Sequence, residues 1–250
     1  MTRSDSMEQT KQSFEQAFRE KSYYEKQTRD DAHLQRILDS LTIHEGDTIL
    51  DLGTGTGYVA IPLAWNNPTC QIIGLDIIDS TMKENQERAT TLHLPNLSYQ
   101  VYDGGSMPFQ DNTFDIIVSR FAIHHFTDIK KTFHEIGRVL KDGGIFFLSD
   151  PTPNPDDTTG FVDTFMQLKN DGHIKFYTKK EFISIAKDAG FHLKESFLTS
   201  IRFPSKTRTK GYLKIADSLD PDMVESYNIS LENDEVTITE HVLNMTFINL

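Results

Sequence analysis

The clearest chemical signal lies in the segment ILDLGTGTG at positions 49–57. A short apolar run ends in Asp51, and Gly53, Gly55 and Gly57 then follow at alternate positions. Glycines in such a turn let the backbone adopt positive φ and let a ligand approach without a Cβ in the way. The helix expected next would direct its N-terminal N–H groups back toward the turn. The segment therefore predicts a pocket for a nucleotide-like ligand.

The spacing of the glycines indicates which nucleotide is favoured. A dinucleotide fingerprint, G-x-G-x-x-G, would place its third glycine where this chain has Tyr58. The carboxylate of Asp51 at the end of a strand suits a cationic amine better than a pyrophosphate. S-adenosylmethionine carries such an amine and no phosphate, so the motif favours it over NAD. Taken alone, the glycines are equally compatible with a tight turn of purely structural value.

Acidic residues follow predicted strands at several further places. Short apolar runs alternate with amphipathic segments, which predicts βαβ units and a mainly parallel sheet. Ligands of such sheets bind beyond the carboxyl ends of the strands. The acids at predicted strand ends are Asp51, Asp76, Asp103 and Asp150. We therefore expect them to gather along one edge of the sheet.

The elements that must position these residues can be assigned from periodicity. Strands are predicted at 49–52, 72–75, 99–102, 114–119, 145–149, 191–203 and 236–250. Helices are predicted at 1–22, 34–41, 58–64, 80–93, 128–141, 158–169, 178–190 and 206–227. The run at 142–144 (DGG) is expected to end a helix, and the proline-rich run at 151–155 to be irregular. Thr178 and Glu181 predict a capping box, and His173 is expected to be exposed in a polar turn.

Composition and charge exclude several classes of function. The chain has 250 residues, and its only cysteine, Cys70, cannot form an intrachain disulfide, which fits a reducing cytosol. A net charge of −12 disfavours nucleic acid as a partner, and the basic residues at 206–210 are expected to form a solvated face. No apolar run could span a membrane, and no apolar secretory segment is visible. We expect a cytoplasmic protein without a bound metal.

Four segments in the same order resemble the class I S-adenosylmethionine-dependent methyltransferases. They lie at 49–57, at 74–77 (GLDI), at 103–126 and at 138–150, and the likeness is strongest over 47–150. With this resemblance we expect a Rossmann-like, doubly wound α/β fold. Its mainly parallel, seven-stranded sheet would have an antiparallel last strand and an N-terminal helical lid.

The resemblance also implies how the chain is organised. We expect a single methyltransferase domain over 1–250. Residues 1–46 would supply the N-terminal helices and lid, 47–150 the cofactor-binding core, and 151–250 the substrate side and the strands that close the sheet. The segment around Tyr23 and Tyr24, together with 151–177, is expected to cover the pocket.

Specific cofactor contacts follow from the resemblance. The expected cofactor-binding residues are Asp51, Gly53, Thr54, Gly55, Gly57, Asp76, Ile77, Asp103, Gly104 and Arg120. Asp51 would face the methionyl ammonium, and Asp76 would accept hydrogen bonds from the ribose hydroxyls. Ile77 would lie against the adenine, whose amine Asp103 would contact. An Asp-Gly turn is the structural alternative for Asp103.

His124 and His125 are the candidate catalytic residues. They follow a predicted strand, beside the expected position of the methyl group. A histidine there could accept a proton from the nucleophile, because its ordinary pKa is near neutral. Packing of these histidines beneath the loop is the alternative.

The resemblance is closest to the small-molecule branch that includes quinone-biosynthesis C-methyltransferases. We therefore expect methyl transfer by in-line displacement to a small-molecule acceptor. Three other interpretations stay open: a non-catalytic S-adenosylmethionine-binding module, an enzyme that uses the cofactor for another reaction, and a NAD(P)-dependent oxidoreductase. The acceptor and the oligomeric state stay open as well.

Overall fold

The computed structural model describes residues 11, 12, 15, 16, 30–169 and 171–250, with the backbone alone at 206 and 207. The lid expected around Tyr23 and Tyr24 lies outside the described residues and stays a prediction.

Strands and helices alternate through the described part of the chain. The strands are β1 (Thr48–Leu52), β2 (Gln71–Asp76), β3 (Leu97–Val101), β4 (Phe114–Arg120), β5 (Leu140–Thr152), β6 (Phe191–Ser205), β7 (Ser230–Glu232) and β8 (Glu235–Asn249). The helices are α1 (Asp31–Asp39), α2 (Ala60–Asn66), α3 (Asp79–Thr91), α4 (Ile129–Val139), α5 (Phe161–Met166), α6 (Lys179–Asp188), α7 (Lys206–Ile215) and α8 (Pro221–Ser226). Short 3₁₀ turns cover Ile123–His125 and Ala216–Ser218.

One sheet organises the fold, with the strand order β3-β2-β1-β4-β5-β8-β6. The pairs from β3 to β5 are parallel, whereas β8 runs antiparallel to both β5 and β6. The expected mainly parallel sheet with an antiparallel last strand is confirmed. An eighth strand is added because Asn233 and Asp234, both at positive φ, form a two-residue turn that pairs β7 with β8.

The central strands are apolar because helices cover both faces of the sheet. Ile49, Leu50 and Leu52 of β1 are all fully buried. Leu50 and Leu52 belong to one core cluster with α4 and α6, whereas Ile49 packs with α1 and α2. Strands buried on both faces give the continuous apolar runs that marked them in the sequence.

Two predictions about β5 are wrong. The run at 142–144 does not end a helix, because α4 ends at Val139 and Leu140 already pairs with Phe114. The run instead lies in an irregularity of β5, where the register shifts between Phe114 and Ile116. Pro151 is also part of β5 and pairs with Val242. A proline is tolerated there because β4 has ended, so that edge of β5 loses no ladder hydrogen bond.

The helices begin where the sequence supplies caps. Asp128 accepts a hydrogen bond from the Lys131 N–H at the start of α4, whose buried face includes Phe133. Thr178 and Glu181 form the predicted capping box of α6. No helix within the described ranges is long and apolar enough to cross a membrane.

Candidate active site

A continuous cavity lies beyond the carboxyl ends of the central parallel strands. It lies at the switch point of the sheet, where β1 is flanked by β2 and β4 and the chain crosses from one side to the other. One end is lined by Asp51, Gly53, Thr54, Gly55, Thr56, Tyr58, Val59, Asp76, Ile77, Ile78, Tyr102, Gly104, Arg120, Phe121 and Ala122. The other end is lined by His124, His125, Phe126, Thr127, Pro151, Met166, Lys169, Asp171, His173, Phe176, Ile201, Phe203, Arg208 and Glu240.

Asp51 is held within the first turn after β1. Its Oδ2 accepts hydrogen bonds from Thr54 Oγ1 at 2.7 Å and from the backbone N–H of Ala60 at 3.1 Å. The residue is 2% exposed, and burial raises the pKa of its carboxyl to about 6, although the two hydrogen bonds act to lower it. Asp51 therefore fixes the loop and the start of α2 while lining the cavity. Its contact with a methionyl ammonium stays a prediction.

Asp76 and Gly55 fit a ribose-bearing ligand. The Asp76 carboxylate accepts hydrogen bonds from the backbone N–H groups of Gly55 at 2.9 Å and of Ile77 at 2.7 Å. Burial raises the pKa of Asp76, while these backbone hydrogen bonds oppose the shift. Gly55 has φ +51°, and nothing lies within 4 Å of the position that a Cβ would occupy. The loop thus offers open space beside a carboxylate that accepts hydrogen bonds.

Two of the expected cofactor residues do not line this cavity. A Cβ on Gly57 would lie 2.3 Å from the Oη of Tyr99, so Gly57 is required by packing against that ring. Asp103 is exposed, and its Oδ1 accepts the Gly105 N–H at 2.8 Å in its own turn, which matches the structural alternative. Its neighbour Gly104 does line the cavity.

Arg120 lies between two aromatic rings. Its guanidinium is 4.4 Å from the ring centroid of Tyr58 and 4.1 Å from that of Phe121. Burial lowers the pKa of Arg120 to about 10, and its charge is retained at neutral pH. The Tyr58 hydroxyl donates to the Asp30 carbonyl at 2.7 Å and accepts the Asp30 N–H at 3.1 Å. The residue that replaces the third glycine therefore ties the cofactor loop to the chain ahead of α1.

His124 and Asp150 form a buried pair, of which His124 lines the cavity. Nδ1 of His124 lies 3.0 Å and 3.1 Å from the two carboxylate oxygens of Asp150, which is fully buried. Burial and the neighbouring His173 hold the pKa of His124 well below its ordinary value. Burial raises the pKa of Asp150 to about 8. The pair fixes the imidazole through Nδ1, so Nε2 is the nitrogen left for other contacts.

His125 and His173 complete a histidine cluster beside this pair. The ring centroids of His124 and His125 are 4.2 Å apart, and those of His124 and His173 are 5.5 Å apart. Burial lowers the pKa of His125 to about 3, so it is neutral at physiological pH. His173 is only 9% exposed and its Nε2 lies 2.8 Å from Asp163 Oδ1, so the prediction of an exposed turn residue is wrong.

Charged side chains form the far wall of the cavity. Asp171 Oδ2 lies 3.1 Å from Lys169 Nζ and 3.7 Å from Arg208 Nη2. Burial alone would raise the pKa of Asp171, but Lys169 and the other nearby cations lower it to about 2. Arg208 is 7% exposed, so the expectation that 206–210 forms a solvated face is wrong at this residue. Glu240 of β8 is 4% exposed, and burial raises the pKa of its carboxyl to about 8.

The far wall was missed because its residues come from separate segments. Lys169 and Asp171 follow α5, Arg208 lies in α7, and Glu240 lies near the middle of β8. No motif joins them in the sequence. The only usable signal was an acid at a buried strand position, since Glu240 follows the alternate apolar residues Val236 and Ile238.

The fold and the site define a Rossmann-like protein with a nucleotide-type pocket at its switch point. Residues 43–211 match the family model described as a methyltransferase domain, so the chain belongs to that family. The cofactor of this family, and of this chain, is S-adenosylmethionine. The cavity beside Gly55 and the carboxylate of Asp76 fit its ribose.

Named relatives agree with this family. The uncharacterised methyltransferase YcgJ of Bacillus subtilis is 34% identical over 128 residues, which cover 51% of this chain and 50% of that protein. The malonyl-[acyl-carrier protein] O-methyltransferase of a Marinomonas species is 36% identical over 117 residues, or 46% of this chain and 42% of that protein. The chain thus spans about half the length of these curated relatives. The ubiquinone/menaquinone biosynthesis C-methyltransferase UbiE of Pasteurella multocida is 25% identical over 184 residues, which cover 72% of this chain and 69% of that protein.

The fold is also similar to solved structures. The crystal structure of YcgJ superimposes with a TM-score of 0.77 and covers 88% of this chain and 99% of that chain, at 21% identity. This likeness supports the fold.

Proposed function

We propose that the chain transfers a methyl group from S-adenosylmethionine to a small-molecule acceptor. The observation that carries the proposal is one cavity that is lined both by the cofactor loop and by His124, whose ring Asp150 holds. The domain organisation that we propose places the cofactor on residues 47–150 and much of the acceptor wall on 151–250. We also propose that the protein is cytoplasmic, because its single cysteine fits a reducing compartment.

The bound cofactor would supply a methyl group on a sulfonium for in-line displacement by the acceptor. The protein would supply alignment and water exclusion, and a proton acceptor where the nucleophile requires one. The role that we propose for His124 is supported by Asp150, which holds the ring through Nδ1 and leaves Nε2 for the acceptor. Arg120, clamped between Tyr58 and Phe121, would form a fixed wall beside the methionyl part.

The test is release of S-adenosylhomocysteine in the presence of a panel of phenols, amines, carboxylic acids and quinones. His124→Asn is the informative variant, because the amide can replace the bond to Asp150 but cannot accept the proton. We expect kcat to fall about a hundredfold with cofactor affinity unchanged, since the lost interaction belongs to the transition state. His134→Asn on the exposed face of α4 is the matched control and should retain full activity.

The outcome also separates catalysis from simple cofactor binding. A chain that binds S-adenosylhomocysteine but releases none with any class of acceptor would be a binding module. Equal loss of activity in the His134 and His124 variants would remove His124 from the chemistry.

A further inference from the structure

We propose that Glu240 is the recognition site for an amino group on the methyl acceptor. This inference rests on the proposed function, because it assigns the substrate class of the same cavity. The amino group recognised here is a handle for binding and need not be the atom that is methylated.

The position of Glu240 on β8 brings its side chain to the cavity. Val236 and Ile238 lie on the same face of the strand and pack into an apolar cluster with α5. Glu240 is the next residue on that face, and it pairs in register with Ile201 of β6, which also lines the cavity. The carboxyl group therefore lies where the apolar core gives way to the acceptor chamber.

Glu240 lacks a hydrogen-bond donor of its own. Its side chain makes no hydrogen bond to any part of the chain that the structure describes, although the residue is only 4% exposed. Burying a carboxyl without a partner is unfavourable, and a protein seldom retains such a group unless something else supplies the donor. The unsatisfied carboxyl faces the cavity, so the donor is expected to come from the ligand.

The charges around Glu240 favour an amine over an anion. The two nearby cations, Lys169 and Arg208, already share Asp171, and Arg208 also donates to the Met166 carbonyl and to Ser205 Oγ. Burial is the main cause that raises the pKa of Glu240; Arg208 opposes it, and Asp150 and Asp171 add to it by repelling a negative charge. An ammonium group would relieve that repulsion, whereas an anionic ligand would have to displace an existing ion pair.

The rest of the chamber fits a small polar molecule. Asp171, His173 and Arg208 line the same end of the cavity as Glu240. A long hydrocarbon chain would desolvate these groups without replacing their hydrogen bonds. The acceptor class that we infer is therefore a compact molecule with a primary or secondary amine.

Matched probes test the assignment directly. Within each of two sets the probes differ in one group only: tyramine, para-ethylphenol and para-hydroxyphenylpropanoate, and cyclohexylmethylamine, cyclohexylmethanol and cyclohexylacetate. Binding to the wild-type chain saturated with S-adenosylhomocysteine is measured by ligand-detected NMR at neutral pH. We expect the amine to bind more tightly than its partners by roughly tenfold in each set.

Glu240→Gln keeps the size of the side chain, but the amide cannot ionise to pair with an ammonium group. It should remove the preference for the amine, while the affinity for S-adenosylhomocysteine is unchanged. Glu225→Gln, on an exposed position of α8, is the control and should keep the preference. The inference is overturned if the neutral or the anionic partner binds as well as the amine, if Glu240→Gln retains the preference, or if neither amine has a Kd below about 10 mM. Failure to bind S-adenosylhomocysteine would instead overturn the proposed function itself.

Discussion

Asp76 lies at the wall of the cavity with its orientation already fixed. The backbone N–H groups of Gly55 and Ile77 each bind one of its carboxylate oxygens, so the side chain does not need to reorganise when a ligand arrives. Preorganised acceptors of this kind lose little free energy on binding. The ribose hydroxyls of the cofactor are the groups that we expect them to bind.

Asp76→Ala should weaken the binding of S-adenosylhomocysteine by about 2–4 kcal/mol, because two charge-assisted hydrogen bonds are lost. Calorimetric titration of the folded variant measures the loss. Asp79→Ala, just beyond the end of β2 on the exposed start of α3, is the control and should bind normally. Normal affinity in the Asp76 variant would reduce Asp76 to a structural role in the loop.

The His124–Asp150 pair predicts how turnover depends on pH. Burial raises the pKa of Asp150 to about 8, so the pair retains an extra proton at neutral pH. His124 can act as a base only after that proton has left. We expect kcat, measured at saturating acceptor so that the titration of Glu240 on binding does not enter, to rise with pH and to level off above about 8. His125, with its pKa lowered to about 3, does not titrate in this range.

Asp150→Asn provides the comparison for the pH profile. The variant retains a hydrogen-bonding partner for His124 but has no carboxyl to titrate. The rise in kcat at saturating acceptor should disappear, and the remaining kcat should be nearly independent of pH between about 6 and 9. A wild-type profile that is flat or falls over that range would contradict the role of the pair.

At the scale of elements, α1 is joined to the sheet by polar contacts as well as by packing. His33 Nε2 lies 3.3 Å from Asn244 Oδ1 of β8 and 3.2 Å from Ser149 Oγ of β5. The Tyr58 hydroxyl holds the backbone of Asp30, which caps the helix. Helix α1 and the cofactor loop are therefore parts of one connected unit.

Tyr58→Phe should loosen α1 without unfolding the core. Loss of both hydrogen bonds to Asp30 should cost about 1–2 kcal/mol. Hydrogen exchange should become faster across residues 31–39, while exchange in β1 and β4 stays unchanged. Tyr212→Phe is the control, because Tyr212 lies in α7 and packs against Phe165, far from α1 in the sequence. Unchanged exchange in α1 would show that packing alone holds the helix.

Across the whole molecule, buried acids make stability depend on pH. Burial raises the pKa of Glu240 to about 8, whereas an unfolded glutamate titrates at about 4.3. The folded chain then binds this proton more tightly than the unfolded chain. Its stabilising contribution is complete below about pH 4.3 and is lost as the pH rises through about 8. Asp171, with its pKa lowered to about 2, acts in the opposite direction and loses its contribution only as the pH falls below about 4.

Glu240→Gln should therefore stabilise the chain at alkaline pH. The variant and the wild type should diverge between about pH 5 and pH 9, with the Tm of the variant higher by about 4 °C or more at pH 9. Thermal unfolding monitored by circular dichroism at a series of pH values measures the difference, and Glu225→Gln should follow the wild type. A constant gap at all pH values would show that Glu240 does not titrate in the folded chain.

The sequence predicted the fold and the cofactor end of the site better than the acceptor end. Asp51, Gly55 and Asp76 lie within single strand-to-helix units, so the local pattern and the edge rule for parallel sheets predict their position at the wall of the cavity. Gly57 was expected to face the ligand, but its position is set by the Tyr99 ring from another strand. That contact depends on tertiary packing and leaves no local signal.

The acceptor end depends on long-range pairing. Glu240 reaches the cavity only because β8 pairs in register with β6 and β5, and a shift of one residue would turn its side chain to the other face. His173 and Arg208 are buried by contacts between separate segments. Composition and periodicity assign such polar residues to the surface, so the sequence alone does not predict their burial.

The measurement that tests the cofactor assignment most directly is calorimetric titration of the wild-type chain with S-adenosylhomocysteine and, separately, with NAD. Asp51 and Asp76 flank a glycine loop in which Tyr58 stands where a dinucleotide-binding motif has its third glycine. We therefore expect S-adenosylhomocysteine to bind and NAD to give no heat of binding. Binding of NAD without binding of S-adenosylhomocysteine would contradict the assignment of the cavity.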